Sequence, residues 1–318
     1  MIQALRRLLS ARVIVACAGA LAIGLLLARQ QLRRRARSSA LSHATILIAG
    51  ASQGIGAALA VLLSRKYPHA RLVLSARSAP LLASLAASLQ PRPGEVLARA
   101  CDFSSGPAVH ALNREIQRCV GGGNGVDVVV CCAGAGAWRA IYEPSATSEA
   151  TAAALGAPLA AALHAAAAFL PGMLARDRGR FLVVQSPASR APWPGATAYT
   201  AARWGLRGLA EALAVDLMAA GRGGVSVTEV VLTEVASAYF VNNPGSHERL
   251  PGIAPLFGRL SVEEAAAAVE DALVGGARLA VYPAVLRIGL ASLWLPGVEA
   301  TFRSLLVKTG WAWGGPLT

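Results

Sequence analysis

Tyr199 and Arg203 stand four residues apart, thirteen residues after Ser186. Positions i and i+4 share one face of a helix, so this spacing would place a guanidinium one turn from a phenol. A fixed cation favours the ionised form of a phenol, which alone is a poor acid or base near neutral pH. The spacing predicts a tyrosine that exchanges a proton with a substrate oxygen, to which Ser186 also donates a hydrogen bond. An ordinary helix with a surface arginine would show the same pair of residues.

A glycine-rich turn precedes these residues in the chain. Residues 45–49 are an apolar run, and residues 57–66 have the composition of a helix. The order of strand, turn and helix lets the backbone approach a pyrophosphate, whose charge is held by the helix N-terminus. Glycines are also simple turn formers in a chain that has 32 of them. The predicted dinucleotide site consists of Gly50, Ser52, Gln53, Gly54, Ile55 and Gly56.

The glycine turn and the later Ser, Tyr and Arg together resemble the short-chain dehydrogenase/reductase family, over about residues 44–282. The resemblance implies an α/β fold, a doubly wound parallel sheet of the Rossmann type, with a nicotinamide cofactor. Ser186, Tyr199 and Arg203 fall in the places of the family's catalytic Ser, Tyr and Lys. Ala133 and Gly134 fall in its cofactor-binding segment, and residues 197–213 are similar to its catalytic helix.

Several positions depart from the family pattern. A guanidinium in the lysine place stays protonated, so Arg203 can bind ribose hydroxyls and supply charge but cannot pass on a proton. We therefore expect slower turnover, a different proton relay or no turnover. The family's threonine is replaced by Ala49, and its pair of asparagines by Cys131 and Cys132. Its relay asparagine falls near Ala154, and its Pro-Gly pair is replaced by Leu232 and Thr233.

The end of the second predicted strand indicates which cofactor is used. An acidic residue there would bind the ribose hydroxyl of NAD, whereas Arg77 suits the 2'-phosphate of NADP(H). An exposed arginine at the start of the next helix is the alternative. Asp102, after the third strand, matches the family position beside the adenine ring, although it could equally cap a helix or a turn.

Composition and hydrophobic patterning predict one catalytic domain. The chain has 318 residues and is 55% hydrophobic, which is ample for one large core. The five cysteines form no Cys-x-x-Cys motif, so we expect no metal site and reduced core thiols, with Cys131 and Cys132 in a strand. Short apolar runs alternate with helical stretches, as in a doubly wound sheet. These runs cover residues 72–75, 96–100, 126–131, 181–185, 225–231 and 279–281.

Residues 1–43 read as a membrane anchor with a basic flank. Residues 13–28 carry no charge, and more Arg follow this run than precede it, so the catalytic domain is expected on the cytosolic side. We expect contact with membrane lipids, at the endoplasmic reticulum. The alternative is a targeting peptide for a plastid or mitochondrion, because no acidic residue precedes Glu95.

The net charge of +13 does not indicate nucleic-acid binding. Eight arginines lie in residues 1–43, so the rest of the chain is only modestly basic. No motif resembles a nucleic-acid-binding module. A homo-oligomer is implied only by the resemblance, since the family often pairs through the helix that carries the tyrosine.

Two apolar segments near the C-terminus predict a hydrophobic substrate. Residues 236–259 occupy the place of the family's substrate-covering loop, and residues 282–296 begin an apolar extension, 283–318, that could cover the cleft or lie at a membrane surface. The predicted activity is NADP(H)-dependent reduction of a lipid-like carbonyl, or oxidation of the alcohol. A catalytically impaired, cofactor-binding membrane scaffold or redox sensor is the alternative. The loop residues behind the prediction are Phe240, Leu250, Ile253, Leu256 and Phe257.

Overall fold

The computed structural model describes residues 23–120, 125–134 and 138–309. It divides into two units, Met1–Leu41 and Ser42–Thr318. In the first unit, residues 23–41 are helical (α1), and the apolar side chains of residues 23–27 are largely exposed. Residues 1–22 of the predicted anchor, which include most of its uncharged run, lie outside the described residues. The second unit contains every strand described below.

The second unit is built on a seven-stranded parallel sheet in the order β3-β2-β1-β4-β5-β6-β9. This arrangement confirms the predicted fold class. A separate parallel pair joins β7 to β8. The strands are β1 Thr45–Ala49, β2 Arg71–Ala76, β3 Val96–Ala100, β4 Val128–Cys131, β5 Gly179–Gln185, β6 Val225–Leu232, β7 Glu234–Val235, β8 Arg259–Leu260 and β9 Leu279–Tyr282.

Helices connect the strands and cover both faces of the sheet. One face packs on α4, α6 and α7, while on the other α2 packs against α9. A π-helical turn, Gly156–Ala160, joins α5 to α6. The remaining helices are α2 Gly54–Lys66, α3 Ala79–Ser88, α4 Gly106–Val120, α5 Ser148–Leu155, α6 Ala161–Ala175, α7 Thr197–Ala219, α8 Tyr239–Asn242, α9 Val262–Gly275, α10 Ala284–Ser292 and α11 Val298–Thr309.

The central strands are nearly continuous apolar runs without polar alternation, which is the pattern of strands buried on both faces of a sheet. In β1, all five residues are buried. Alternate side chains then supply the two helical layers, so Leu47 belongs to the cluster formed with α4, α6 and α7, whereas Ile46 and Ile48 face the other layer. Parallel strands end at the same edge of a sheet, which brings the glycine turn, Arg77 and Ser186 together there.

The continuous helical segment Ser148–Ala175 is long and apolar enough to cross a membrane. Half of its most apolar window is buried inside the domain. A core helix of a globular domain passes the same test of length and composition. We therefore assign Ser148–Ala175 to the core.

One local prediction about the strands is wrong. Cys131 and Cys132 were expected side by side within a strand, but β4 ends at Cys131. The Cys132 N–H still donates to the Ala49 carbonyl at 2.8 Å, after which the chain leaves the sheet. The parallel pairing with β1 ends at Ala49 because β1 itself turns into the glycine loop there.

Candidate active site

The glycine turn between β1 and α2 has the close packing that a dinucleotide site requires. Gly50 has φ of 90°, and a Cβ on it would lie 2.8 Å from the Ala133 nitrogen. A Cβ on Gly56 would lie 2.2 Å from the Gly50 carbonyl oxygen. Neither position can hold a side chain without moving the backbone. The start of α2 is thereby held close to the turn, where its first N–H groups can bind a phosphate.

Arg77 and Asp102 lie at the ends of neighbouring strands beside this turn. Ala76 pairs with Ala100, so the residues that follow leave the sheet together. Hydrogen bonds from the Ser104 hydroxyl and N–H lower the pKa of Asp102, with a smaller contribution from the charge of Arg77. The Arg77 side chain is exposed. The pair offers a cation and a carboxylate to the ribose and adenine end of a dinucleotide.

Tyr199 is buried in a cluster of aromatic rings. Its ring centre lies 5.1 Å from Trp138, 6.4 Å from Trp193 and 6.4 Å from Tyr239. Trp138 Nε1 donates to the Tyr239 hydroxyl at 3.1 Å, and burial raises the pKa of Tyr239, so this second phenol stays protonated. Sequence reasoning missed the cluster. Trp, Tyr and Phe make up only 5% of the chain, and this rarity was a signal that could have drawn attention to them.

The Arg203 side chain lies buried between β5 and Tyr199. Its Nη1 donates to the Val184 carbonyl at 3.0 Å, and its Cζ lies 4.9 Å from the centre of the Tyr199 ring. Its Nε has no hydrogen-bond partner among the described residues. A Cβ on Gly134 would lie 3.2 Å from Nη2. The guanidinium therefore stacks on the ring face of Tyr199 and also borders the predicted cofactor-binding segment.

Ser186 directly follows β5 and caps the short 3-10 turn Pro187–Ser189. Its Oγ accepts a hydrogen bond from the Ala188 N–H at 3.2 Å. This bond occupies an acceptor site and leaves the hydroxyl proton able to donate. The turn is supported from behind by Arg190, whose guanidinium makes a bidentate ion pair with buried Glu229 at 2.8 and 2.6 Å. These contacts fix the position of Ser186 at the start of the turn.

The remaining departures from the family pattern lie around this site. Ala154 is buried in α5, and the π-helical turn begins two residues after it. Burial raises the pKa of Cys132 to about 12 and that of Cys101 to about 11, so neither thiol is a good nucleophile near neutral pH. Among the described residues no group of three potential metal ligands occurs, and Cys101, Cys119, Cys131 and Cys132 are free.

An ion pair connects the segment after β4 to the loop of residues 236–259. Both Nη atoms of Arg249 donate to the Glu143 carboxylate, one of them at 2.7 Å. These bonds lower the pKa of Glu143 to about 2. The stability that the ion pair contributes is therefore fully present above the ordinary pKa of a glutamate, and it is lost only as the pH falls towards 2. The Trp138 N–H also donates to buried Ser246 at 2.9 Å. The loop is therefore fixed over Tyr199.

One cavity of about 1120 Å³ is lined by the glycine turn, the ends of β2 and β3, Ser186, Tyr199 and Arg203. This is slightly larger than a common ligand pocket of about 300–1,000 Å³, and its lining includes both the glycine turn and apolar residues of the loop and the C-terminal helices. Within the loop, Leu250 and Ile253 are buried in its wall, whereas Leu256 is 73% exposed and does not line it. Every predicted site residue lines the cavity: Gly50, Ser52, Gln53, Gly54, Ile55, Gly56, Arg77, Asp102, Ala133, Gly134, Ser186, Tyr199 and Arg203.

The sequence also matches a known family in this region. The model of the short chain dehydrogenases matches residues 44–245, which include the glycine turn, Ser186, Tyr199 and Arg203. The chain belongs to the short-chain dehydrogenase family. The resemblance inferred from the motifs is thereby confirmed, and with it the general class of oxidoreductase that binds a nicotinamide cofactor.

Curated relatives of this short-chain dehydrogenase differ widely in length. It is 30% identical to 2,3-dihydroxy-2,3-dihydro-p-cumate dehydrogenase of Pseudomonas putida, over 70% of this chain and 84% of that protein. It is 32% identical to 17-beta-hydroxysteroid dehydrogenase type 1 of Mus musculus, over 63% of this chain and 57% of that protein. A 30% identical match to glycine betaine reductase ATRR of Emericella nidulans covers 58% of this chain but 14% of that protein. The chain therefore spans most of the first of these relatives, about half of the second and only a small part of the third.

Solved structures show the same fold with nicotinamide cofactors bound. An alcohol dehydrogenase from the archaeon Thermococcus sibiricus, complexed with 5-hydroxy-NADP, is 26% identical and superimposes with a TM-score of 0.62. The alignment covers 75% of this chain and 94% of that one. Other similar dehydrogenases are solved with NAD or with NADPH. The comparisons support a nicotinamide cofactor for this short-chain dehydrogenase.

Proposed function

We propose that this dehydrogenase uses NADP(H) to reduce a carbonyl group, or to oxidise the corresponding alcohol, on a hydrophobic, lipid-like molecule. The observation that carries the proposal is one continuous cavity whose lining includes the glycine turn, Tyr199 and the apolar residues of the loop and the C-terminal helices. The bound cofactor supplies or accepts the hydride. Tyr199 gives its proton to the carbonyl oxygen, and Ser186 donates a hydrogen bond to the same oxygen. Arg203 holds the Tyr199 ring in place and keeps positive charge beside it.

The preference for NADP(H) is supported by the position of Arg77 at the end of β2, in the cavity wall. A guanidinium is well suited to a phosphate because it donates two parallel hydrogen bonds. The Asp102 carboxylate accepts hydrogen bonds from the N–H and hydroxyl of Ser104, at 2.9 and 2.7 Å, which occupy one of its oxygens.

Replacing Arg77 by Ala tests this preference. Hydrogen bonds to a charged group contribute about 1.5–3 kcal/mol, so Arg77→Ala is expected to raise the Kd for NADPH by about tenfold to a hundredfold and to change the Kd for NADH little. Fluorescence titration of the purified protein measures both constants. Arg65→Ala, an exposed arginine at the far end of α2, is the matched control. An equal loss of NADPH and NADH binding would contradict the assignment.

Attachment to a membrane is the second part of the proposal. It is supported by the exposed apolar side chains of residues 23–27 and by the arginines of residues 1–43. Arginine side chains beside an apolar helix contact anionic lipid heads, at about 1 kcal/mol each. We propose the cytosolic side of the endoplasmic reticulum as the location of the catalytic domain.

A fusion of residues 1–43 to a fluorescent protein tests the attachment. The reporter is expected in the endoplasmic reticulum membrane and should resist extraction by high salt and alkali. Replacing Leu25 and Leu26 by Asp should release it, whereas Arg29→Lys should not, since the charge is kept. A reporter found soluble inside a plastid or mitochondrion would show a cleaved targeting peptide instead.

The geometry of Arg203 favours one alternative, a cofactor-binding protein with little or no turnover. Its guanidinium is bonded to the Val184 carbonyl and stacked on a ring face, and it cannot take part in proton transfer as a lysine can. Such a protein would bind NADPH as a membrane scaffold or redox sensor. It would alter NADPH fluorescence on binding but reduce no carbonyl in a broad panel.

A further inference from the structure

The C-terminal helices supply a separate wall of the cavity. Two separate apolar clusters lie beside the cavity. One surrounds Tyr199 with Trp138 and Leu250, and the other joins α10 to the ends of β6 and β9. Both clusters line the same cavity. We define the C-terminal wall as Leu286, Gly289, Leu290, Leu293, Phe302 and Leu306, all of which line the cavity.

The C-terminal wall is apolar throughout, and part of it faces open space. Leu286 and Leu290 are buried, while Leu293 and Phe302 are only half-buried although they belong to the same cluster. A half-buried apolar ring in a cavity wall has unfilled contact area, and apolar surface gains stability when a ligand covers it. The wall therefore fits an apolar ligand group.

The substrate-covering loop closes this chamber against α10 and α11. A Cβ on Gly289 would lie 2.8 Å from Phe257 Cε1, so the Phe257 ring packs directly on the α10 backbone. A Cβ on Gly252 would lie 2.7 Å from the Thr309 carbonyl oxygen, at the end of α11. The loop passes from the Tyr199 cluster, at Leu250, to the C-terminal wall, at Phe257. One continuous apolar path thus runs from Tyr199 to the two last helices.

We infer that the C-terminal wall is a binding site for the apolar tail of the substrate, an inference that rests on the proposed carbonyl chemistry at Tyr199. The substrate class is a molecule with one carbonyl or hydroxyl at its head and an extended saturated or isoprenoid tail. A polar group at the tip of that tail is excluded, because the wall offers it no hydrogen-bonding side chain and an unpaired buried polar group is unfavourable.

Enlarging one side chain of the wall tests the inference. The substrates are methyl ketones with saturated chains from hexyl to dodecyl, reduced with NADPH by the full-length protein. The wild type is expected to gain roughly twofold to fourfold in kcat/KM per added methylene until the chamber is full. Leu293→Trp should lower the long-to-short ratio of kcat/KM about tenfold. Ile288→Trp, on the exposed side of α10, is the matched control and should leave the ratio unchanged.

The opposite change provides a second variant in case Leu293→Trp fails to fold. Phe302→Ala enlarges the chamber and should move the optimum to longer chains, whereas Leu305→Ala, an exposed neighbour on α11, should not. Unchanged chain-length profiles in both wall variants, with ketones still reduced, would overturn the inference and leave the proposed function standing.

A binding measurement separates the inference from the proposed function. Displacement of a fluorescent long-chain alcohol from the NADPH-saturated protein reports tail binding without turnover. Weaker displacement by dodecyl ketone in Leu293→Trp than in Ile288→Trp would support the tail site even if no ketone were reduced, in which case only the proposed function fails. Equal displacement in both variants would overturn the tail site.

Discussion

Tyr199→Phe is expected to lower kcat for carbonyl reduction by about a hundredfold to ten-thousandfold, the usual contribution of a positioned proton donor. Only the hydroxyl is lost. The phenyl ring keeps its contacts with Trp138, Trp193 and the Arg203 guanidinium, so the free energy of unfolding and the Kd for NADPH should change little. Steady-state NADPH consumption, a thermal melt and a fluorescence titration measure the three quantities.

The matched control is Tyr142→Phe. Tyr142 is 86% exposed, and the same atom is removed from a phenol that does not line the cavity. Its variant should behave as the wild type in all three measurements. Full turnover in Tyr199→Phe would refute the proton-donor role, and loss of NADPH binding would mean that the hydroxyl has a structural role instead.

Much of the fold could be predicted from hydrophobic patterning because a parallel sheet covered on both faces leaves a strong trace in the sequence. Strand β1 and residues 181–184 of β5 are buried, nearly continuous apolar runs, and each strand is followed by a helical stretch. The strand ends were less predictable. Hydrogen bonding with the neighbouring strand decides where β4 stops, and that partner is remote in sequence, so Cys132 was wrongly placed in the strand.

The position of the candidate site was also predictable, since its residues follow strands that end at one edge of the sheet. Their mutual contacts were not. Helical spacing placed Arg203 one turn from Tyr199 but could not show that its guanidinium would stack on the ring and bond to Val184, which belongs to a different element. The aromatic cluster and the C-terminal wall come from segments far apart in the chain, and only tertiary packing brings them together.

Arg203 also explains how a departure from the family pattern can be accommodated without loss of the fold. A lysine in this place would leave the Val184 carbonyl and the face of the Tyr199 ring without their present partner. The guanidinium satisfies both and keeps a positive charge in the same region. Binding of the cofactor and stability are therefore compatible with arginine, whereas proton transfer is the property that the substitution most directly affects.

Arg203→Lys is accordingly expected to raise kcat about tenfold while lowering the free energy of unfolding by about 1–3 kcal/mol, the cost of leaving the buried Val184 carbonyl without its donor. An ammonium on a flexible stem can move between the Tyr199 oxygen and a bound ribose and can release a proton. Stopped-flow NADPH oxidation measures the first effect, and urea unfolding measures the second. The pH profile of kcat should also change, because a titratable group replaces one that does not titrate.

Arg207→Lys is the control for this substitution. It lies on the same helix, paired with Glu211 at 2.8 Å and outside the cavity wall, so neither kcat nor its pH profile should change. A gain of activity from an inactive wild type would favour the scaffold or sensor, since it would show that arginine alone suppresses turnover. A loss of activity in Arg203→Lys would show the opposite, that the stacked guanidinium is an adapted part of a working catalytic centre. These two outcomes separate the enzyme from the scaffold or sensor. Both candidate functions require cofactor binding, and they differ only in whether arginine beside Tyr199 allows proton transfer.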